Sequence, residues 1–440
     1  LTVTAAATAV ALMNYTAPML TLPDTAAAFG TPPSAQAWLL NGTPLGLAVL
    51  LLVAGSLADA HGRRRIFLLG TLALGLTTAL GALADSTLTF TAARIAQGAA
   101  SAAVLAGSLG LLAHAYPAGR DRIRATGIWG ASVSAGIALG PLLAGALSLA
   151  DWRLVYGTLG AAALVIAGAG ARALRADETK REGSGSRPDI AGATALGLAL
   201  AALLTALTLG RDGWLRPQVG LLLFAAVALT ALFVAVERRS RTPMVDLALL
   251  RRPAFLASTL GALFTGLAVI GLFSVVPALL QGGAGMSPLG AAWLFVLWSG
   301  TAFLVALQAR RLPARLSAPY QLALGFALSA AGVLALLGGL EGPTASWSRL
   351  LPGLLVAGAG SGLLNAALPR LAVDSVPPER AAMGSGANNT ARYIGSSAGV
   401  ALMLALATAG TGPDTAVVVS AALAVTGAVV TLTLGRRPRR

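Results

Sequence analysis

The chain has 440 residues, 56% of them hydrophobic and 11% charged, with a mean hydropathy of +0.78. Soluble domains carry about a quarter charged residues, so this composition excludes a water-soluble globule and points to helices of about 20 residues crossing a bilayer core. A net charge of +15 would suit nucleic acid, but the basic residues come in short clusters between apolar runs and argue against such a partner; the absence of cysteine removes disulfides, thiolate metal sites and cysteine nucleophiles.

In chain order, apolar runs predict fourteen transmembrane helices, at 1–22, 37–57, 65–84, 88–112, 123–147, 153–172, 189–209, 218–236, 253–280, 286–308, 319–338, 347–368, 385–410 and 414–434. Alternating them across the bilayer puts 25 Lys and Arg on the side of Arg63–Arg65 and four on the other, with Arg94 and Arg392 inside spans. Loops rich in Lys and Arg stay in the cytoplasm, so both termini are expected there, in a multi-pass protein of the cell membrane. The chain opens on Leu1 within an apolar run, without a cleavable signal pattern, and reads as starting inside a longer N-terminus.

The two ends of the chain echo each other. Pro33 and Pro288, Ala37-Trp38-Leu39 and Ala292-Trp293-Leu294, and Arg94-x-x-x-Gly98 and Arg349-x-x-x-Gly353 are all 255 residues apart. Spans 1–6 therefore correspond to spans 9–14, and spans 7 and 8 are an inserted pair. The expected fold is an all-α membrane protein with two six-helix bundles related by this repeat, a common plan for secondary transporters. The expected units are an N-terminal bundle over 1–174, a cytoplasmic linker over 175–188, the inserted pair over 189–240 and a C-terminal bundle with a basic tail over 241–440.

Four segments carry chemistry. Between spans 2 and 3 stands Gly55-Ser-Leu-Ala-Asp59-Ala-His-Gly62-Arg63-Arg64-Arg65. Its arginines suit a positive-inside anchor, while Asp59 can accept hydrogen bonds from a helix N-terminus and from arginine. Span 4 holds Arg94-Ile-Ala-Gln97-Gly98. An arginine at helix centre costs about 2.5–3.5 kcal/mol on insertion scales, so Arg94 must face the bundle or water, or snorkel outward. In span 5, Ser132, Gly136, Gly140 and Ala144 recur every four residues and make a flat ridge for a neighbouring helix; Pro141 bends that helix, and Gly145 follows. Span 13 carries Asn388, Asn389, Arg392, Tyr393 and Gly395, either as a polar packing network or as contacts to a substrate.

In order and topology these segments resemble the major facilitator superfamily over essentially the whole chain, and within it the fourteen-span drug:proton antiporters of multidrug efflux. The resemblance implies that Gly55, Asp59, Gly62 and Arg63 latch one conformation. It implies that Arg94 serves proton transfer or conformational coupling, and that Gly136, Gly140, Pro141 and Gly145 form a motif of exporters. The implied function is secondary active export of small organic molecules, drugs or natural products, by alternating access and proton antiport. The partners implied are a small-molecule substrate, protons and the lipid bilayer, with the protein a monomer that needs no cofactor and no metal.

One departure matters. The family has an aspartate midway along span 1, and alignment on Leu22-Pro23 puts Asn14 in its place. No carboxylate stands at the centre of any span. Asp24, just after Pro23, is left either as a substitute proton carrier or as a cap on a short outer segment. A central cavity could draw aromatic walls from Tyr15, Trp38 and Trp298 and polar anchors from Asn14, Asn41, Gln97, Asn388, Asn389 and Arg392. A dedicated metabolite exporter, an uncoupled facilitator and a non-transporting membrane sensor stay open beside the multidrug exporter. There is no Gly-x-x-x-x-Gly-Lys-Ser/Thr phosphate loop and no nucleophile with a base, so an ATP-driven pump and an enzyme are not expected.

Overall fold

The computed structural model describes residues 1–116, 120–174, 190–210, 213–240, 249, 251–309, 317–342, 346–376, 381–408 and 412–435. Those residues form sixteen α-helices: α1 (Thr2–Thr16), α2 (Pro18–Ala28), α3 (Gln36–His61), α4 (Arg63–Ala82), α5 (Thr87–Ala115), α6 (Arg120–Leu147), α7 (Trp152–Ala173), α8 (Ile190–Gly210), α9 (Pro217–Arg239), α10 (Pro253–Phe264), α11 (Gly271–Ala284), α12 (Pro288–Ala309), α13 (Ala318–Leu334), α14 (Trp347–Asp374), α15 (Ala381–Ala407) and α16 (Pro413–Gly435). Eleven helices are long and apolar enough to cross a membrane, or twelve with the bent pair α1–α2 taken as one span. α13 is a shorter apolar helix.

Sixteen helices stand where fourteen were expected because two predicted spans are each divided. The first breaks by 48° between α1 and α2, where Pro18 opens the second helix. Proline has no N–H and its ring crowds the carbonyl four residues back. The ninth is interrupted by a π-helical turn over Thr265–Ile270. A shift of 255 residues would carry that turn onto residues 10–15, the last turns of α1 just before the break at Ala17. The first span also runs further than predicted: α2 continues to Ala28, and Asp24 lies inside it, after Pro23, not as a cap on a separate segment. Ends elsewhere are set by local chemistry. Ser86 and Thr89 make a reciprocal capping box at the start of α5, Asp151 accepts from Arg153 N–H at the start of α7, and α9, α10, α12 and α16 begin on proline, which suits a first helical position. Gly62, at φ +95°, turns the chain between α3 and α4 with a backbone that other residues rarely adopt.

Helix pairing repeats along the chain. In the N-terminal set α1 packs on α6, α3 on α5, α4 on α5, and α4 on α7; in the C-terminal set α10 packs on α15, α12 on α14, α13 on α14, and α13 on α16. In a bilayer such pairs rest on small residues that let backbones close in. Gly46 and Gly98 bring α3 and α5 together with no room for a Cβ, and Gly358 and Gly362 do the same for α14 against α12. The two sets meet where α3 packs on α15, α6 on α12, and α2 on α11. α8 and α9 pair with each other; α8 also leans on α3 and α15, while α9 leaves Leu221, Phe224 and Val227 exposed, as a lipid-facing helix would.

Candidate functional site

Arg94 is fully buried, and its surroundings explain how a bilayer-embedded cation is tolerated. It lies about 10 Å along α5 from that helix's start, at a rise of 1.5 Å per residue. One Nη1 donates to Asn14 Oδ1 at 2.7 Å and to Gln97 Oε1, and Nη2 donates to the Asn14 carbonyl at 2.8 Å. That carbonyl is the one Pro18 cannot serve, because an α-helix pairs residue 14 with the N–H of residue 18. The break in the first span thus supplies an acceptor for the arginine. Asn14 Nδ2 donates to Thr78 Oγ1 at 2.6 Å, and Gln97 Nε2 to the Thr77 carbonyl at 3.0 Å. The guanidinium also sits 5.7 Å from the Tyr156 ring centroid, and the Tyr156 hydroxyl pairs with Thr21 Oγ1 at 2.8 Å. Arg94 therefore ties α1, α4, α5 and α7 together. Gly42 of α3 rests on its Cβ, leaving no space for a side chain, and Thr43 Oγ1 donates to its carbonyl at 3.2 Å.

Tyr15, next to Asn14, faces the other way. Its hydroxyl pairs with Ser396 Oγ at 3.0 Å, and its ring meets Tyr393 edge-on at 5.8 Å. Arg392 lies 5.6 Å from the Tyr393 ring and donates to Asn389 Oδ1 at 2.8 Å. Asn14, next to Tyr15 in sequence, belongs to the Arg94 network, while ring contacts lead from Tyr15 through Tyr393 to Arg392 across the seam between the two sets. A small cavity beside it is lined by Tyr15, Met19, Leu40, Pro44, Ser274 and Val400. Further along the seam Gln281 Nε2 donates to the Leu20 carbonyl at 3.1 Å, and Gly145 of α6 meets Pro288 and Ala292 of α12.

The remaining predicted site residues are distributed as follows. Asn14 and Gln97 are fully buried in the Arg94 network inside the N-terminal set. Asn388 donates to Ser258 Oγ at 2.9 Å inside the C-terminal set, and Asn389 donates to the Ser385 carbonyl at 3.1 Å. Asn41 is buried with Oδ1 unpartnered, as is Trp298 Nε1; the Trp298 ring stacks on Phe273 at 4.4 Å. Trp38 is half-buried in α3. Asp24 is half-buried, with Oδ2 unpartnered. Gly136 and Gly140 bring α6 against Ala9, Met13 and Thr16 of α1, so the glycine ridge is a packing surface within one set, with Gly145 alone reaching across. In the Gly55–Arg65 segment, Arg63 donates to the Gly110 carbonyl at 3.3 Å, and Arg64 to the Leu174 and Ala171 carbonyls at 2.9 and 3.0 Å. Arg64 satisfies carbonyls at the end of α7. The Asp59 side chain lies outside the described residues.

Thr21, Thr78, Tyr156 and Ser396 were not singled out from sequence. A hydroxyl residue in an apolar run is too common to signal anything without knowing what faces it.

Polar residues meeting along a seam within a bundle of membrane-spanning helices make the architecture of a solute carrier. A family model described as Major Facilitator Superfamily matches residues 4–400 and 260–440, and the chain belongs to that superfamily. It is 32% identical over 385 residues to the multidrug resistance protein Stp of Mycobacterium tuberculosis, covering 87% of this chain and 70% of that one. To the puromycin resistance protein pur8 of Streptomyces alboniger it is 32% identical over 418 residues, covering 93% of this chain and 82% of the other. A bacterial homologue of the human lysosomal transporter Spinster, solved in an inward-facing and occupied conformation, shares the fold at a TM-score of 0.69 and 16% identity, over 99% of this chain and 96% of that one.

Proposed function

We propose that this transporter exports small organic molecules, drugs or natural products, across the cytoplasmic membrane by alternating access. The observation that carries the reading is the seam. Among the described residues the two helix sets are joined there by separable polar contacts, Tyr15 to Ser396 and Gln281 to Leu20, beside a cavity that each set helps to line. Two bundles over 1–174 and 241–440 would rock about it, joined by the linker over 175–188, with the pair over 189–240 outside them. The repeated helix pairing supports this division. Counting α3 and α13 with the twelve candidate spans gives fourteen, with both termini on the cytoplasmic side. The names of the drug-resistance relatives support export, and the glycine contacts of α6 with α1 and α12 supply the packing an exporter motif would need. Gly55, Asp59, Gly62 and Arg63 would latch the cytoplasmic side.

Proton antiport would use Arg94 for coupling and Asp24 as the carrier of the proton. An uncoupled facilitator is the second reading, favoured by one observation: the residue opposite Arg94 is Asn14, which cannot exchange a proton. Substrate accumulation in proteoliposomes under an imposed pH gradient separates the two. Antiport predicts gradient-driven accumulation that Asp24→Asn abolishes while downhill exchange persists. Accumulation intact in that variant would remove Asp24 from the mechanism, and flux that ignores the gradient would make the protein a facilitator.

A further inference from the structure

Two cations lie deep in this membrane bundle without an acid. Arg392 is about 16 Å along α15 from its start, by the helical rise, and is half-buried. Among the described residues neither Arg94 nor Arg392 contacts a carboxylate, and the carboxylates nearest Arg392 in sequence are Glu379 before it and Asp414 after it, 13 and 22 residues away. A guanidinium has five N–H donors. Arg392 makes one side-chain hydrogen bond, to Asn389, and Arg94 leaves Nε buried and unpartnered. Charges in a low-dielectric interior are ordinarily paired, and Arg392 leaves positive charge at the seam that no carboxylate among the described residues neutralises.

Arg392 lies over the Tyr393 ring, and Tyr393 meets Tyr15, the residue that closes the seam through Ser396 and Tyr393. The walls beside it are mostly apolar: Met19, Leu40, Pro44 and Val400, with Ser274. A solute entering here meets aromatic and aliphatic surface with the Arg392 guanidinium nearby. An anion is attracted by that charge; among the described residues an organic cation finds no carboxylate at the seam to replace its water.

We infer that the seam binds aromatic or amphiphilic anions, such as carboxylates and phenolates, with the negative group placed at Arg392 beside Tyr393 and Tyr15. The inference rests on the carrier reading above and specifies its substrate class. In the present conformation the seam is closed over, so the two sets must part before such a solute enters.

Fluorescein and a rhodamine cation share a xanthene ring and differ in charge, so they isolate the effect. With the purified full-length chain in nanodiscs, fluorescence anisotropy should show fluorescein binding at least tenfold more tightly than the rhodamine. Naphthoate in excess should displace fluorescein and tetraphenylphosphonium should not, a comparison that needs no variant. Arg392→Gln should erase the preference, and Arg392→Lys should keep part of it, since a point charge lacks the guanidinium fork. Equal or tighter binding of the rhodamine, no binding of either dye, or an unchanged preference in Arg392→Gln would each overturn the inference. Selective binding of fluorescein without flux of either dye in proteoliposomes would uphold the anion site and strike instead at the carrier reading.

Discussion

Replacing Arg94 by alanine removes the donor from three buried acceptors, Asn14 Oδ1, the Asn14 carbonyl and Gln97 Oε1. An unpaired buried polar group costs about 1–3 kcal/mol, so the three together cost about 6 kcal/mol at the middle of that range. Against this, deleting the charge relieves about 2.5–3.5 kcal/mol of the penalty for a cation in the membrane. The net expectation for Arg94→Ala is a loss of about 3 kcal/mol. Arg94→Lys retains the charge but not the planar fork; with one acceptor abandoned, about 1–3 kcal/mol is lost. Thermal unfolding of the purified proteins in one detergent should therefore rank wild type above Arg94→Lys above Arg94→Ala. Transport should fall in both variants, further in the alanine one. Wild-type unfolding temperature and transport rate in Arg94→Ala would mean that the network ties nothing together.

Two other outcomes follow from packing and topology. Gly140→Leu drives a side chain into Thr16 and the Met13 backbone; overpacking costs about 1–3 kcal/mol, so α6 and α1 should part and the unfolding temperature should drop, whereas an unchanged one would show that the ridge is not in contact. On this cysteine-free chain, a cysteine at Ser184 should resist a membrane-impermeant thiol reagent applied outside intact cells; labelling from outside would reverse the topology.

Much of the architecture could be read in advance because a bilayer leaves few options. The long apolar runs became helices, and α4, α7, α9, α12 and α16 fall within a few residues of their predicted bounds. The two broken spans were less legible. Pro18 and Pro23 both stand near the end of the first run, and sequence alone does not say which one bends it. The π turn over Thr265–Ile270 has no local signature; it accompanies the close approach of Gly266 to Arg392 and Ser396, an event of tertiary packing. Asn14 and Arg94 were each recognisable as unusual, but their contact joins residues 80 apart and depends on how α1 and α5 are set beside each other. The Tyr15–Ser396 pair spans 381 residues and both halves of the repeat, so no window on the sequence could contain it.

For solute to pass, the two helix sets must move apart at the seam. Leu20→Cys with Gln281→Cys places two thiols where a side chain of one set now meets the backbone of the other at 3.1 Å, in a chain with no other cysteine. Solute flux by this double variant in proteoliposomes is the measurement. Alternating access predicts that a short crosslink across the pair stops flux and that reduction restores it, with each single variant insensitive to the reagent. Crosslinked protein that carries solute at the uncrosslinked rate would contradict the account.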